Sequence, residues 1–362
     1  MLSRAEPLPG ANAGWLDALS PWPRDGFGLG RMRTLLAALG DPQLAYPAIH
    51  VVGTNGKSTA VRTIEALLLA EGLSVGATVS PHVRSWSERI TVDGAEADLE
   101  AALARVRPEA EQQRATQFEI VSAAAFAEFA ACGVDVAVVE AGLGGRHDAT
   151  NVLRSHVVLL TNVGLDHTDV LGETRERIAA EKLAVVQEGT IVVLPDLEFA
   201  HLVTPGQGAG PNVRIGGARE AAEAFLGRPL EHEVDVALPG RFEVRRDGEI
   251  WDGAHNADGV RWLVAQLPPG EWVVVASILA DKDVDGMLRE LATVGSRFVA
   301  TRSSSERALP AEALGRLAAA HFEHVEVEPQ PAAALARARV LPGGTLVTGS
   351  LYLVGDLAGS GD

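Results

Sequence analysis

Short apolar runs alternate along the chain with longer stretches of mixed character. The runs are rich in Val and Ile: "AIHVV" (48–52), "LSVGATV" (73–79), "VDVAVVE" (134–140), "HVVLLTN" (156–162) and "TIVVLP" (190–195). Between them, "STAVRTIEALLLAEG" and "EIVSAAAFAEFAACG" place apolar residues at helical spacing and end in Gly. This alternation predicts an α/β fold in which helices cover a mainly parallel sheet.

The same pattern stops and then restarts, which predicts two domains. Residues 204–217, "TPGQGAGPNVRIGG", are rich in Gly and Pro and are expected to form a surface connection. After "ALPGRFEV" the alternation resumes with "EIWDGAH", "EWVVVASI", "RFVATR" and "TLVTGSLYL". We therefore expect a larger domain at 1–240 and a smaller α/β domain at 241–362.

Composition limits the class of partner. With 362 residues, of which 47% are hydrophobic, the chain can bury two domain cores. Its formal net charge of -17 disfavours nucleic acid and anionic membranes, which bind basic surfaces. Small-molecule ligands are expected instead, and an anionic ligand must be held by local groups.

The cysteine content and the apolar runs bear on location. Cys132 is the single cysteine, which excludes an intrachain disulfide and favours a reducing compartment. Its apolar surroundings, "FAEFAACGVDV", predict that it is buried. No run resembles a signal peptide, and none reaches 18 uninterrupted apolar residues. The expected location is the cytoplasm.

The stretch "HVVGTNGKSTA" (50–60) places a glycine turn between a strand and a helix. It differs from the common P-loop, because Val51 stands where that motif has its first glycine. The N–H groups of such a turn, together with the helix dipole, favour an anion. Lys57 can add positive charge against terminal phosphates, and the hydroxyl of Ser58 or Thr59 can support a metal ion. The stretch predicts phosphate binding.

A carboxylate ends the strand in "VVEAGLGGRHDATN" (138–151), and a glycine-rich turn follows it. At the carboxyl edge of a parallel sheet, Glu140 would face a ligand crevice and could hold Mg²⁺. The next strand leads into "TNVGLDHTDVLG", which places Asp166 and His167 at the same edge. Such a carboxylate is often merely solvated, and a lone histidine is more often structural. A phosphate loop beside them favours a metal site.

An ordered set of motifs resembles the folylpolyglutamate synthase and dihydrofolate synthase family of the Mur ligase superfamily. The motifs are "GLGRMRTLLAALGDPQ", "IHVVGTNGKST", "SPHVRSWSERI", "TQFEIVSAAAF", "EAGLGGRHDATN", "LDHTDVLG", "EKLAV", "LPGRFE", "DGAHN", "DKD" and "VTGSLYLVGD". They follow the family's order over most of the chain. The resemblance implies a Mur-type ATP-binding domain with a P-loop and a mainly parallel sheet, followed by a Rossmann-like glutamate-ligase domain.

The resemblance also implies an activity, an ATP-dependent amide ligase that adds L-glutamate to dihydropteroate or to reduced folates. The acceptor carboxylate would first become an acyl phosphate, and the glutamate amine would then displace phosphate. Both steps spread negative charge over oxygens, which a metal ion and a fixed cation can stabilise. The expected cofactors are ATP and Mg²⁺, the latter at two sites, and the expected state is a monomer.

Several residues of the first domain receive roles from the resemblance. The phosphate loop would comprise Gly53, Thr54, Asn55, Gly56, Lys57, Ser58 and Thr59. The first Mg²⁺ would be bound by Ser80, Glu140 and His167. Lys182 matches a catalytic lysine that is carbamylated near the second metal ion, although it could equally be a surface helix lysine paired with a glutamate.

Other matches concern the substrates. The positions that shape the pterin-side pocket are Thr116, Phe118, Glu119 and Arg146. Phe118 could stack on a flat heterocycle or only pack at a helix start. In the second domain, the positions that match ATP contacts are Arg241 and Asp252, and those at the glutamate end are His255 and Ser350.

Three departures from the family pattern stand out. "KST" replaces the usual K-G-[ST], and Ala257 replaces the proline of "DGAHNP". The segment between Pro195 and Pro239 is short, and it lacks an evident asparagine for adenine before the helix expected in "GGAREAAEAFLG". Adenine recognition therefore departs from the family's usual form.

Two other functions stay open. One is a Mur-type ligase with another acceptor, such as a cell-wall precursor. "TQFE", "SPHVRSWSERI" and the absence of a substrate domain before the phosphate loop disfavour it. The other is a non-catalytic nucleotide-binding descendant, which the retained Lys57, Glu140, His167, Lys182, Asp252 and His255 disfavour.

Overall fold

The computed structural model describes residues 10–21, 23, 26, 28–203, 212–245 and 248–359. The chain divides into two compact units, Met1–Val236 and Ala237–Asp362. This division lies slightly before the predicted boundary between residues 240 and 241. None of the helices in the described ranges has the length and apolar content of a membrane span.

The first unit is built on an eight-stranded sheet. Its strands are β1 (Ala48–Val52), β2 (Val75–Thr78), β3 (Ile90–Val92), β4 (Ala95–Glu96), β5 (Val136–Glu140), β6 (Ser155–Leu160), β7 (Ile191–Leu194) and β8 (Asn212–Ile215). They lie in the order β4-β3-β2-β5-β1-β6-β7-β8. The six strands from β2 to β8 in that order are parallel, and β3 and β4 add an antiparallel edge.

Helices lie on both faces of this sheet. They are α1 (Ala11–Asp17), α2 (Gly30–Ala38), α3 (Lys57–Ala70), α4 (Leu99–Gln113), α5 (Gln117–Cys132), α6 (Thr168–Leu171), α7 (Arg175–Leu183) and α8 (Ala218–Leu226). Successive residues of β5 enter different cores: Val138 packs in a cluster with Ile64 of α3, and Val139 in a cluster with Phe126 of α5. Because both faces are covered, the central strands are mostly apolar rather than alternating, with His50 of β1 as a buried exception.

The second unit is a six-stranded sheet with its own core. Its strands are β9 (Glu243–Val244), β10 (Ile250–Trp251), β11 (Trp272–Ala276), β12 (Arg297–Ala300), β13 (His324–Val327) and β14 (Gly344–Thr348). The order is β13-β12-β11-β14-β10-β9, and only β9 is antiparallel to its neighbour. Its helices are α9 (Ala257–Gln266), α10 (Val284–Leu291), α11 (Ala311–Ala318), α12 (Pro331–Arg339) and α13 (Leu351–Gly359). The predicted mainly parallel α/β architecture is confirmed.

Two local predictions were wrong. Cys132 is exposed, because it is the last residue of α5. Its Sγ lies 3.7 Å from Oε1 of Glu128, which is one helical turn earlier. The predicted connection at 204–217 contains β8, an edge strand whose residues are mostly exposed and so lack the apolar pattern of a buried strand. Residues 204–211 of that connection lie outside the described residues.

Candidate active site

Four neighbouring strands deliver the candidate residues of the first unit to one edge of the sheet. In the order β2, β5, β1, β6, these parallel strands lie side by side. Ser80 follows β2, Glu140 ends β5, the phosphate loop follows β1, and His167 follows β6. The carboxyl edge of adjacent parallel strands is where α/β folds bind ligands.

The phosphate loop joins β1 to α3, and its shape depends on two glycines. Gly53 has φ +152°, and a Cβ there would collide with the hydroxyl of Thr161. Gly56 has φ +76° and caps α3 in the left-handed conformation. Both conformations strain any residue with a side chain. The loop sequence therefore reflects backbone geometry as well as chemistry.

Asn162 organises the N–H groups of this loop, a role that sequence reasoning missed. Its backbone oxygen accepts from the N–H of Thr54 at 3.1 Å, and its Oδ1 accepts from the N–H of Asn55 at 2.9 Å. The N–H groups of Lys57, Ser58 and Thr59 precede the first intrahelical bond of α3, which runs from Ala60 to Gly56. The anion-binding end of the loop is thus the start of the helix.

Glu140 lies at the centre of the polar contacts. Its side chain is buried, and its Oε2 accepts from the hydroxyl of Ser58 at 2.8 Å and from the backbone N–H of Ser80 at 2.9 Å. The ammonium of Lys57 is 3.9 Å from Oε1 and donates to the Thr54 carbonyl at 3.3 Å. Glu140 is therefore a buried carboxylate that connects the first turn of α3 with the end of β2.

The turn after Glu140 brings two helices close to it. A Cβ on Gly142 would lie 2.6 Å from Cζ of Phe118, so the phenylalanine ring rests against that glycine. A Cβ on Gly145 would lie 2.5 Å from the backbone oxygen of Lys182. The absence of side chains at these positions allows the start of α5 and the end of α7 to approach the turn.

Lys182 is a buried lysine, not a surface helix residue. Its side chain is 3% exposed, and Nζ donates to the backbone oxygen of Gly53 at 2.8 Å. Burial lowers the pKa of Lys182 to about 7, and the positive charge of Lys57 contributes in the same direction. Near neutral pH a large fraction of this amine is uncharged, and an uncharged amine is nucleophilic.

The start of α5 is held by a capping box and a buried ion pair. Oε2 of Glu119 accepts from the backbone N–H of Thr116 at 2.8 Å and from its hydroxyl at 2.9 Å. Nε of Arg31 on α2 lies 2.8 Å and 3.0 Å from the two oxygens of the same carboxylate. Sequence reasoning missed Arg31, although it lies in the quoted motif "GLGRMRTLLAALGDPQ". These contacts fix the first turn of α5, which carries Phe118.

Arg146 and His167 lie nearer the surface. Arg146 pairs through Nε with Glu181 at 3.0 Å. His167 has φ +50°, and its N–H donates to Oδ1 of Asp166 at 2.9 Å. Within the part of the chain that the structure describes, His, Cys, Asp and Glu side chains form no group of three or more that could hold a metal ion. A metal ion at Glu140 would also need other ligands, such as hydroxyl or phosphate oxygens.

In the second unit, Asp252 follows β10 at its carboxyl edge, next to the parallel strand β14. It is buried, and its two oxygens accept from the N–H groups of Phe242 and Ala254, both at 2.7 Å. Burial raises the pKa of Asp252, whereas these hydrogen bonds and the charge of Arg241 oppose the rise. A Cβ on Gly253 would lie 3.1 Å from Nη1 of Arg241, so the guanidinium lies beside this loop.

His255 and Ser350 complete the cluster of the second unit. Nδ1 of His255 lies 2.9 Å from the Gly253 carbonyl, which fixes the proton on Nδ1 when the ring is neutral. Ser350 is 1% exposed, and its Oγ accepts from the N–H of Tyr352 at the start of α13. Gly253 also packs against Leu351, the residue after Ser350. The structure thus gathers Arg241, Asp252, His255 and Ser350 around one strand edge.

Comparison with known proteins gives consistent matches. The family model of the Mur ligase middle domain matches residues 51–244, and that of the Mur ligase glutamate ligase domain matches residues 240–350. A dihydrofolate synthase/folylpolyglutamate synthase from Mycobacterium tuberculosis is 33% identical over 393 residues, covering 85% of this chain and 80% of the relative.

Solved structures agree with the sequence matches. Mycobacterium tuberculosis folylpolyglutamate synthase complexed with ADP superposes with a TM-score of 0.86 at 30% identity, covering 96% of this chain and 97% of that one. The bifunctional folylpolyglutamate synthase/dihydrofolate synthase of Yersinia pestis, complexed with AMPPNP and Mn ion, gives a TM-score of 0.81 at 29% identity, with the same coverage of both chains.

Proposed function

The chain belongs to the Mur ligase family, among the folylpolyglutamate and dihydrofolate synthases, and we propose that it joins L-glutamate to a pteroate or folate carboxylate. Members of this group are ATP-dependent ligases that form C–N bonds, and this chain is such a ligase. The observation that carries the residue assignments is the convergence of Lys57, Ser58 and Ser80 on the buried carboxylate of Glu140.

The ATP phosphates are assigned to the start of α3. There the N–H groups of Lys57, Ser58 and Thr59 and the helix dipole face one point. Lys57 supplies a cation for the terminal phosphates. Gly53 to Gly56 shape the loop, and the pairing of two loop N–H groups with Asn162 holds that shape without a ligand.

The donor set around Glu140 fits Mg²⁺, a hard cation that prefers oxygen ligands. Glu140 and Ser80, with His167 from the neighbouring loop, would hold the ion. When bound, it would neutralise part of the charge that develops on the phosphate oxygens. Near the proposed second Mg²⁺ site, the uncharged amine of Lys182 can add to CO₂ and release a proton. The resulting carbamate would offer oxygen ligands in place of a cation.

The reaction has two displacements. An acceptor carboxylate oxygen attacks the γ-phosphorus, and the bond to the ADP oxygen breaks. The deprotonated amine of glutamate then attacks the acyl carbon, the bond to phosphate breaks, and the nitrogen loses its remaining extra proton. Lys57 would stabilise the negative charge that spreads over the phosphate oxygens during the first displacement.

The acceptor is assigned to the pocket beside Phe118. The ring rests on Gly142, two residues after Glu140, and in this assignment it would stack on a flat heterocycle. Arg146 lies on the same glycine-rich turn. Thr116 and Glu119 serve the pocket indirectly, because their side chains cap α5 and Glu119 also pairs with Arg31.

The second unit is assigned to glutamate and to part of the nucleotide. We place glutamate near His255 and Ser350, and nucleotide contacts at Arg241 and Asp252. In this proposal residues 1–240 form the ATP-binding domain and residues 241–362 the glutamate-ligase domain. We further propose a monomer that acts in the cytoplasm on small-molecule substrates.

A phosphate-release assay with product analysis tests the proposal. The protein is incubated with MgATP, L-glutamate and either dihydropteroate or tetrahydrofolate, and the acceptor is analysed by mass spectrometry. We expect phosphate release that requires the acceptor, together with a product heavier by one glutamyl residue. Absence of both, or release only with a muramoyl nucleotide as acceptor, contradicts the proposed acceptor class.

A further inference from the structure

A histidine lies inside the central strand of the first unit. His50 in β1 is 1% exposed and aligns with Val139 of β5 and Val158 of β6. Its Nε2 is 2.8 Å from Oγ1 of Thr150. Nδ1 is buried and has no hydrogen-bond partner in the described part of the chain. An unpaired buried nitrogen destabilises a fold, so an apolar residue would suit the strand better.

The direction of the hydrogen bonds shows what the imidazole does. Oγ1 of Thr150 lies 2.5 Å from Oδ1 of Asp148. Both oxygens of Asp148 accept from backbone N–H groups, Oδ1 from Thr150 at 3.0 Å and Oδ2 from Leu143 at 2.7 Å, which is the pattern of an ionised carboxylate. An ionised carboxylate can only accept, so the single hydroxyl proton of Thr150 is donated to it. The hydroxyl must then accept from His50, which places the proton of the neutral ring on Nε2. The unpaired Nδ1 is consequently an acceptor, not a donor. Burial lowers the pKa of His50 to about 4, in agreement with a neutral ring.

Asp148 connects this chain of hydrogen bonds to the candidate active site. Its Oδ2 accepts from the N–H of Leu143 at 2.7 Å, which fixes the glycine-rich turn that follows Glu140. Burial raises the pKa of Asp148, whereas its hydrogen bonds from Thr150 and Leu143 and the positive charge of Lys57 oppose the rise. Asp148 is 6% exposed, so little water intervenes to screen these interactions.

We propose that His50 is a positioning residue of the ligase site. Its Nε2–H holds the Thr150 hydroxyl as a donor to Asp148, and Asp148 in turn holds the glycine-rich turn that follows Glu140 and interacts with the positive charge of Lys57. Because His50 is buried inside the strand, it would act through Thr150 and Asp148 and not by touching a substrate. The expected effect on the ligase reaction rests on the proposed function. The direction of the hydrogen bonds does not depend on that function.

Matched substitutions test the proposal. His50→Leu and Thr150→Val remove the hydrogen bond between the two side chains at similar volume, whereas His50→Gln and Thr150→Ser retain a donor and a hydroxyl. We expect the first pair to lower kcat by about tenfold or more, the size typical of a lost supporting contact. The KM for ATP should change less than kcat, and the second pair should stay within about threefold of the parent. Thermal melts verify folding.

Nitrogen NMR of the histidine-labelled protein provides a readout that needs no substrate. We expect the His50 resonances of a neutral ring protonated on Nε2, assigned by their loss in His50→Gln. A proton on Nδ1, or a folded His50→Leu or Thr150→Val protein with the kcat of the parent, overturns the proposal. If His50→Leu does not fold, the Thr150→Val and Thr150→Ser pair decides it. Failure of the parent to form the amide would instead contradict the proposed function.

Discussion

The hydroxyl of Ser58 donates to Oε2 of Glu140 at 2.8 Å, so the first turn of α3 is joined to the end of β5 by a buried hydrogen bond. Ser58 and Glu140 are 82 positions apart in sequence. Their contact places a hydroxyl and a carboxylate next to the N–H groups that begin α3. This pairing of hard oxygen ligands with an anion-binding helix start suits a metal ion bound to phosphate.

Replacement of Lys57 by alanine should abolish turnover and preserve the fold. Lys57 lies 3.9 Å from Glu140, but two closer donors, Ser58 and Ser80, continue to satisfy that carboxylate. The value of kcat should fall by at least about a hundredfold, because the charge of Lys57 acts mainly during phosphoryl transfer. Acceptor-dependent phosphate release measures it, with circular dichroism as the folding control. Near-normal turnover would contradict the assignment of this loop to the ATP phosphates.

Replacement of Glu140 by glutamine should raise the Mg²⁺ concentration required for half-maximal activity. The amide oxygen can keep the hydrogen bonds from Ser58 and Ser80, while the amide nitrogen takes the place of the oxygen nearest Lys57. Shape is therefore retained and the charge that binds a hard cation is lost. We expect a shift of about tenfold or more in the Mg²⁺ titration. An unchanged titration would mean that Glu140 is only structural.

Lys182 should make the stability of the protein depend on pH. Its pKa falls from 10.5 to about 7 on folding. Between these values the unfolded chain binds more protons than the folded chain, so the free energy of unfolding rises with pH across this window. The rise due to this group is at most about 1.4 kcal/mol per pH unit. Below about pH 7 both states bind the proton, and the contribution no longer changes.

Lys182→Met supplies the comparison for that prediction. The variant keeps an unbranched apolar chain and removes the titrating amine. Urea unfolding in CO₂-free buffers, at pH 7 and at pH 9, should show a smaller increase in stability for Lys182→Met than for the parent. Equal increases in the two proteins would show that the amine is not held uncharged by burial.

The sequence predicted the sheet of the first unit well because its central strands are buried on both faces and thus mostly apolar. It missed β8 because an edge strand with exposed residues has no such pattern. The phosphate loop was visible because its glycines, lysine and hydroxyls are contiguous. Two other pairings could not be predicted, because each joins residues far apart in sequence: Asn162 with Asn55, and Arg31 with Glu119. Such contacts carry no local signal.

The burial of Lys182 also could not be predicted from the local sequence. In "RERIAAEKLAVV" the lysine follows charged residues on a short helix, so a surface position was equally consistent with the sequence. The fold buries it because Gly145 permits the glycine-rich turn to lie against the backbone of α7. Burial in the folded chain, together with the charge of Lys57, lowers the pKa of this helix lysine to about 7.

Replacement of His255 by alanine should uncouple phosphate release from amide formation. The Nδ1 proton of His255 is held by the Gly253 carbonyl, so Nε2 is the nitrogen with a lone pair when the ring is neutral. If glutamate binds beside this ring, its loss leaves the phosphate loop of the first unit unchanged. ATP affinity should then stay near that of the parent, and the acyl phosphate should still form.

Without a well-held amine, water attacks the acyl phosphate instead. We therefore expect the ratio of phosphate released to amide formed to rise above one for His255→Ala, whereas the parent remains near one to one. His255→Asn, which retains a side-chain N–H donor, serves as the control for the contact with Gly253. Nucleotide affinity is measured by calorimetry, phosphate by a coupled assay, and amide by mass spectrometry. If ATP affinity and amide formation fall in equal proportion, or if neither falls, glutamate does not bind at His255.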